Sequence, residues 1–373
     1  MISRRLLQSI LIADRMARSG DAILKRRLVW LLFKTGLLGA YHSLRNRRVL
    51  TVVSFHRVLA EDDPRWRTCD HLYTMSDRLF EQCLEFFREY YSIVTLDDVL
   101  RLRRSGERLP PRALLITFDD GWADNHDYAF PVLRKFGLPA ALFVATDTIG
   151  RHEAFFQERL IAAWRTKRLG EKVLASLWER TAPPEDRPRD VAGESSLRAL
   201  IARLQCIPAS KRDELLESLA DVLADPQRQM LTSEEIRRMH RAGVAIGTHG
   251  KTHEPLTSVP DVDSELRDSK HVLAEALGCG REQIRTLSLP FSKQNEDVIQ
   301  RARQAGYELV FGGGLCLNPL RGGLPFLSAR VGVIAHDVMD DKGDLRPQTL
   351  AAYLFRRPKQ RLADHVAGAT STR

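Results

Sequence analysis

The stretch that decides the fold is Ala113-Leu114-Leu115-Ile116-Thr117-Phe118-Asp119-Asp120-Gly121. Six residues without a charge or a turn former read as a strand buried on both faces, as in a parallel sheet covered by helices. The two carboxylates that follow stand at the carboxyl end of that strand, where active-site residues of βα barrels collect. Side by side they repel, and a cation beside them relieves the repulsion. The plainer reading is that one of them caps the next helix.

Outward from this stretch the pattern repeats. Val49–Phe55 (VLTVVSF) is a second buried strand, ending in His56. Ser76–Tyr90 has helical spacing with Ser76 as cap, Tyr91–Thr95 reads as a strand and Leu96–Leu102 as the start of a helix. After Asp120 come a helix over Phe130–Phe136, stopped by Gly137, and a strand at Ala140–Val144. Residues 151–230 interrupt the alternation and read as a helical insertion, with a Pro-containing loop at Thr181–Glu194. The alternation resumes with helix Thr232–Ala242, strand Val244–Thr248, helix Asp263–Leu277 and strand Arg285–Leu289. It ends with helix Glu296–Ala305 and strands Glu308–Phe311 and Leu327–Val333. Such order predicts parallel βα units. Residues 341–373 read as a polar tail with a weak helix around Thr349–Arg356.

Charge is unevenly placed. Residues 1–48 carry eleven basic and two acidic side chains, a surplus equal to the net charge of the whole chain, +9. A basic arm on a near-neutral body excludes a uniformly basic nucleic-acid coat. A hydrophobic content of 43% with 28% charged residues excludes disorder and a multi-span membrane protein. Leu28–Tyr41 is apolar but too short to span and is interrupted by Lys34, and no signal-peptide cleavage pattern stands out. The spacing of Leu6, Leu7, Ile10, Ile12 and Met16, and of Ile23, Leu24, Leu28, Leu31 and Leu32 beside Lys25–Arg27, predicts amphipathic helices, suited either to an anionic membrane surface or to packing on the body. The five cysteines include no Cys-x-x-Cys pair, which favours reduced thiols and a cytoplasmic chain, peripheral on the inner membrane if the arm binds lipid.

Two further strand ends bear on chemistry. His249-Gly250-Lys251-Thr252-His253 places two histidines four apart after the strand Val244–Thr248, a spacing that lets both reach one divalent ion. Leu289-Pro290-Phe291-Ser292 forms a turn after another strand. One carboxylate plus two histidines gives three ligands with an open position for water, and the second carboxylate is then placed to take that water's proton.

At this point the sequence resembles the polysaccharide deacetylases of the NodB-homology type, carbohydrate esterase family four, in an exopolysaccharide-type bacterial form. The resemblance runs from about Val49 to Val333, through Thr117–Gly121, Ile246-Gly247-Thr248-His249 with His253, Leu231–Gly243, and Ser54-Phe55-His56. It implies a distorted (β/α)7-type barrel over 49–340, with the basic arm 1–48 before it and the tail 341–373 after. It implies a metal-dependent hydrolase, zinc being the expected metal, that removes N-acetyl or other acyl groups from a glycan. Asp119 becomes the base, and Asp120, His249 and His253 the metal ligands. Gly121, Pro290 and Phe291 are candidate substrate contacts. Where many members carry Arg-Pro-Pro-Tyr-Gly, this chain has Ser288-Leu289-Pro290-Phe291-Ser292, so the arginine that orients the base is missing from its usual place. The late Leu-x-x-His motif is also absent, which leaves His336 and His56 as candidate acids. Alternative readings are a deacylase or deformylase of a lipid-linked sugar at the inner membrane, and a glycan-binding barrel without catalysis. No nucleic-acid partner is expected.

Overall fold

The structure is a computed structural model, and it describes residues 22–362 except residue 226. Seven parallel strands follow one another around a closed barrel. They are β1 (Val49–Phe55), β2 (Ala113–Phe118), β3 (Ala141–Val144), β4 (Ala245–Thr248), β5 (Thr286–Ser288), β6 (Leu309–Gly313) and β7 (Leu327–Gly332). Closure comes from β1, which pairs with β2 in the register Leu50↔Ala113 to Phe55↔Phe118 and with β7 at Val53↔Val331. The expected barrel is therefore present.

Alternation along the strands sorts side chains to two sides. Leu50, Val52, Ala113, Leu115, Ala141, Phe143, Leu309 and Phe311 share one apolar cluster, and the helix Leu96–Ser105 seats Leu96, Val99 and Leu100 on it. That helix starts from a Thr95/Asp98 capping box. Val49, Val53, Phe55, Leu114, Ile116 and Phe118 belong to a second cluster, with side chains of the surrounding helices. One row on β2 runs Ala113, Leu115, Thr117 and on to Asp119, so period two carries Asp119 to the barrel mouth.

Residues 156–223 contain five helices, Phe156–Arg165, Glu171–Thr181, Glu194–Cys206, Ala209–Glu217 and Ala220–Leu223. They enclose a core of their own around Leu160, Leu174, Trp178, Leu200 and Leu204. Three short strands escape the sequence reading, Arg57–Leu59 and Thr74–Ser76, which pair with each other, and Asn318–Pro319. They are too short for a periodic signal.

At the amino ends of the strands, α1 (Ala22–Lys34) and α2 (Leu37–Arg45) form a hairpin that leads into β1. The amphipathic pattern read at Leu6–Met16 lies outside the described residues. The segment read as a polar tail needs correction. Its helix, α3 (Pro347–Phe355), buries Leu350, Ala351, Leu354 and Phe355, and packs against both hairpin helices. His42 joins these parts. Its ring stacks on Phe355 at 3.9 Å, its Nε2 lies 3.2 Å from the Tyr90 carbonyl, and its Nδ1 lies 2.9 Å from the Asn46 amide nitrogen. Burial then drives the His42 pKa from 6.5 down to about 3.

Candidate active site

Three strand ends meet at the carboxyl mouth of the barrel. After β2 the chain turns sharply at Asp120 (φ 78°) and Gly121 (φ 92°), where a Cβ on Gly121 would meet a Val144 methyl at 3.0 Å. After β4, His249 is followed by Gly250 (φ 72°) and His253 (φ 65°). After β5, Phe291 and Ser292 stand at φ 54° and 55°. Four of the six non-glycine residues with positive φ among the described residues are thus gathered here. Each such residue costs on the order of 1–3 kcal/mol, which the surrounding packing must hold in place.

The turn bearing His253 is clamped by one buried carboxylate. Glu265 accepts hydrogen bonds from the Lys251 and Thr252 amides and from the Thr252 hydroxyl, the last at 2.7 Å. His253 then lies between the tilted rings of Phe155, at 3.9 Å, and Phe291, at 4.9 Å.

The ligand set converges. Asp120 Oδ1 lies 3.3 Å from His249 Nε2 and 3.2 Å from His253 Nε2. Ligand atoms around a tetrahedral zinc with bonds near 2.05 Å stand about 3.3 Å apart, so the spacing fits. Tautomer chemistry agrees. His249 Nδ1 is 2.9 Å from the Ser288 carbonyl, to which it can only donate. In the neutral ring Nε2 is then a bare lone pair facing a carboxylate oxygen. Two buried acceptors face each other unless a cation or a proton sits between them. The electrostatics carry the same message. Burial works against charge on both groups, yet the bonds from His249 and His253 hold the Asp120 carboxyl well below its ordinary range, and Asp119 and Asp120 raise His249.

Asp119 is a different kind of carboxylate. Its two oxygens are gripped by Arg330 at 2.7 and 2.6 Å, a buried bidentate pair. Burial alone would raise its pKa, and Arg330 overrides this to hold the group ionised. The arginine absent after β5 is thus supplied from β7. The sequence held one sign of it: a charge inside the apolar run Leu327–Val333 needs a buried partner.

The other expected residues divide. Phe291 is 40% exposed beside His253, on a turn whose Pro290 is buried. Gly121 offers no free amide as an oxyanion donor, since its N–H is bonded to the Asp119 carbonyl at 3.0 Å. His56, half-buried, meets Tyr73 edge-on at 5.2 Å and follows β1 at the same mouth, where the Asp119 N–H donates to the neighbouring Phe55 carbonyl at 3.1 Å. His336 is not brought to this centre. It is exposed on a four-residue helix, 3.0 Å from Asp337, and lines a separate groove with Trp66, His71 and Trp164. A second triad, His126, Asp127 and Glu235, lies close enough for an ion, but Glu235 is spent on Arg228 and on capping Thr232.

Comparison with known proteins gives a family match and a fold match. The family described as polysaccharide deacetylase matches residues 106–310, over half of the chain. YxkH of Bacillus subtilis is 31% identical over 221 residues, 59% of this chain and 51% of that protein. A poly-beta-1,6-N-acetyl-D-glucosamine N-deacetylase of Staphylococcus epidermidis is 30% identical over 108 residues, 29% of this chain and 36% of that one. The chain therefore aligns with about half or less of these relatives' length. Among solved structures, the Streptococcus pyogenes deacetylase PplD in complex with acetate superposes with TM-score 0.52 at 17% identity, covering 82% of this chain and 98% of that one. IcaB of Ammonifex degensii gives TM-score 0.50 at 19% identity, over 83% and 97%. At these identities the likeness concerns the fold.

Proposed function

Because this chain belongs to the polysaccharide deacetylase family, we propose that the Asp120, His249 and His253 centre holds one divalent cation and that the barrel hydrolyses N-acetyl or related acyl groups on a glycan. The observation that carries this reading is the pair of buried acceptors, His249 Nε2 and Asp120 Oδ1, turned on each other across 3.3 Å with Asp119 ionised beside them. Zinc is the metal best suited to two imidazoles and a carboxylate. Such an ion supplies an acidified water and polarises the acyl oxygen. Asp119 takes the proton from the attacking water, and Arg330 keeps the carboxylate ionised and aimed. Phe291 and the exposed Tyr73 offer aromatic faces to the sugar on either side. His56 is the acid that returns a proton to the leaving amine, since it is the histidine outside the ligand set that follows β1 at this mouth, next to the Phe55 carbonyl that accepts from the Asp119 N–H at 3.1 Å. A purely glycan-binding role would leave the pairing of Arg330 with Asp119 without a purpose.

The substrate favoured is a cell-surface polysaccharide or exopolysaccharide. Among the described residues no helix is long and apolar enough to cross a membrane. The hairpin supports peripheral contact instead. Residues 22–48 carry seven basic side chains and no acid, and Leu24, Trp30, Leu31 and Leu44 are exposed. A cytoplasmic position on the inner membrane accords with this. The hairpin lies at the amino ends of the strands, opposite the site, so a bilayer bound there leaves the mouth facing away from it. That favours a polymer over a lipid-linked sugar.

The test is acetate release from N-acetylated glycans by purified protein of known metal content. About one equivalent of divalent ion, chelator-sensitive release and its loss in Asp119→Asn support the proposal. Release that survives His249→Ala with His253→Ala contradicts it.

A further inference from the structure

We infer that Trp122, backed by Arg57, is a positioning residue for the metal ligand Asp120, and that the two ends of the helical insertion hold this brace in place. The inference rests on the metal reading above. Both histidines approach Asp120 through Oδ1. The other oxygen, Oδ2, accepts a hydrogen bond from the Trp122 indole at 2.8 Å. Asp120 stands in left-handed backbone, so its carboxylate is not aimed by a regular strand and needs this second anchor.

Trp122 is only 2% exposed and is fixed on two sides. The Arg57 guanidinium lies over its ring at 4.3 Å, and Phe155 meets it edge-on at 5.3 Å while lying against His253. Arg57 is itself buried and tied to three side chains. It donates to Asp124 at 2.9 Å, to Glu158 at 3.4 Å and to the side-chain Oε1 of Gln229 at 2.8 Å. Phe155 and Glu158 open the insertion, and Gln229 closes it. Its closing end also pairs with the ligand loop, through Ala123 N–H to Gln229 O at 2.8 Å and Leu231 N–H to Gly121 O at 2.9 Å. Both ends of a helical unit with its own core thus converge beneath one metal ligand. Partners of this kind orient a ligand and tune its affinity, and their loss weakens metal binding by about 10–100-fold.

The experiment measures zinc affinity by competition with a chromophoric chelator, alongside the melting temperature of the metal-free protein. Trp122→Phe keeps an aromatic ring beside Arg57 but removes the indole N–H together with the five-membered ring. The expected result is zinc bound about 10–100-fold more weakly, while the metal-free protein still unfolds cooperatively with a melting temperature lowered by only a few degrees. Zinc held as tightly by Trp122→Phe as by wild type overturns the inference. If Trp122→Phe does not fold, Arg57→Lys carries the test, since it keeps the charge for Asp124 and Glu158 but loses the planar group over the indole. A several-fold weaker site supports the brace, and an unchanged one overturns it. Wild-type protein that binds no zinc fails the metal reading instead, which keeps the two claims apart.

Discussion

The two ends of the barrel each bury histidine, and they treat it in opposite ways. At the amino end His42 is satisfied as a neutral ring, with Tyr90 O and Asn46 on its two nitrogens and Phe355 stacked on its face. At the carboxyl end His249 is satisfied on one nitrogen by Ser288, and the other is turned onto a carboxylate. The first arrangement is complete without anything more and excludes charge. The second is complete only with a cation or a proton between the two acceptors, and the proposed function puts a divalent cation there. Backbone strain leans the same way, with Asp120, His253, Phe291 and Ser292 at the carboxyl mouth against Arg112 alone at the amino end of β2. Burial alone therefore does not mark a functional histidine. What marks it is a buried lone pair left without a donor.

This contrast can be broken at several points. The largest effect is expected at Asp119. Asp119→Asn keeps the ligand set and should lower kcat by about 10²–10⁴-fold while metal content stays near wild type. Arg330→Met comes next, because it leaves Asp119 buried and unpaired. It should cost about 3–5 kcal/mol of stability by denaturant titration, and activity should fall with it. A larger loss of kcat than of stability would locate the role of Arg330 in aiming the base.

The amino end is probed by pH. In the unfolded chain His42 takes up a proton near pH 6.5, whereas in the fold it stays neutral down to about 3. Its contribution is fully present above pH 6.5 and drains away as the pH falls toward 3, on the order of 5 kcal/mol in all. His42→Gln, which cannot take up a proton, should show a shallower fall in melting temperature between pH 6.5 and 4 than wild type. The smallest effect is expected at His336, which is exposed and away from the centre. His336→Ala should leave kcat/KM within about twofold, a surface-substitution effect, whereas His56→Ala should lower it by about 10²-fold or more if His56 is the acid.

The same contrast explains what was legible in the sequence. Strands buried on both faces write themselves as unbroken apolar runs, so β1 and β2 were found with their observed bounds. Asp119, Asp120, His249 and His253 were legible because each sits where such a run stops. Arg330 was not, because it lies within a run and its partner is over 200 residues away. Trp122 and Arg57 gave no signal either. An indole beside a buried arginine becomes meaningful only once folding brings Glu158 and Gln229 to the same guanidinium. The helix Pro347–Phe355 was undervalued for a related reason. Leu350, Ala351, Leu354 and Phe355 have helical spacing, but the polar residues around them masked a face that meets the hairpin.

The central claim is that the carboxyl mouth is incomplete without a divalent cation and becomes a glycan deacetylase with one. The most direct measurement follows acetate release from an N-acetylated glycan as zinc is titrated into chelator-stripped protein. No release is expected at zero metal, then a rise that saturates at about one equivalent, and no rise in a variant carrying both His249→Ala and His253→Ala. Release by the stripped protein equal to that of the zinc-loaded protein would contradict the claim.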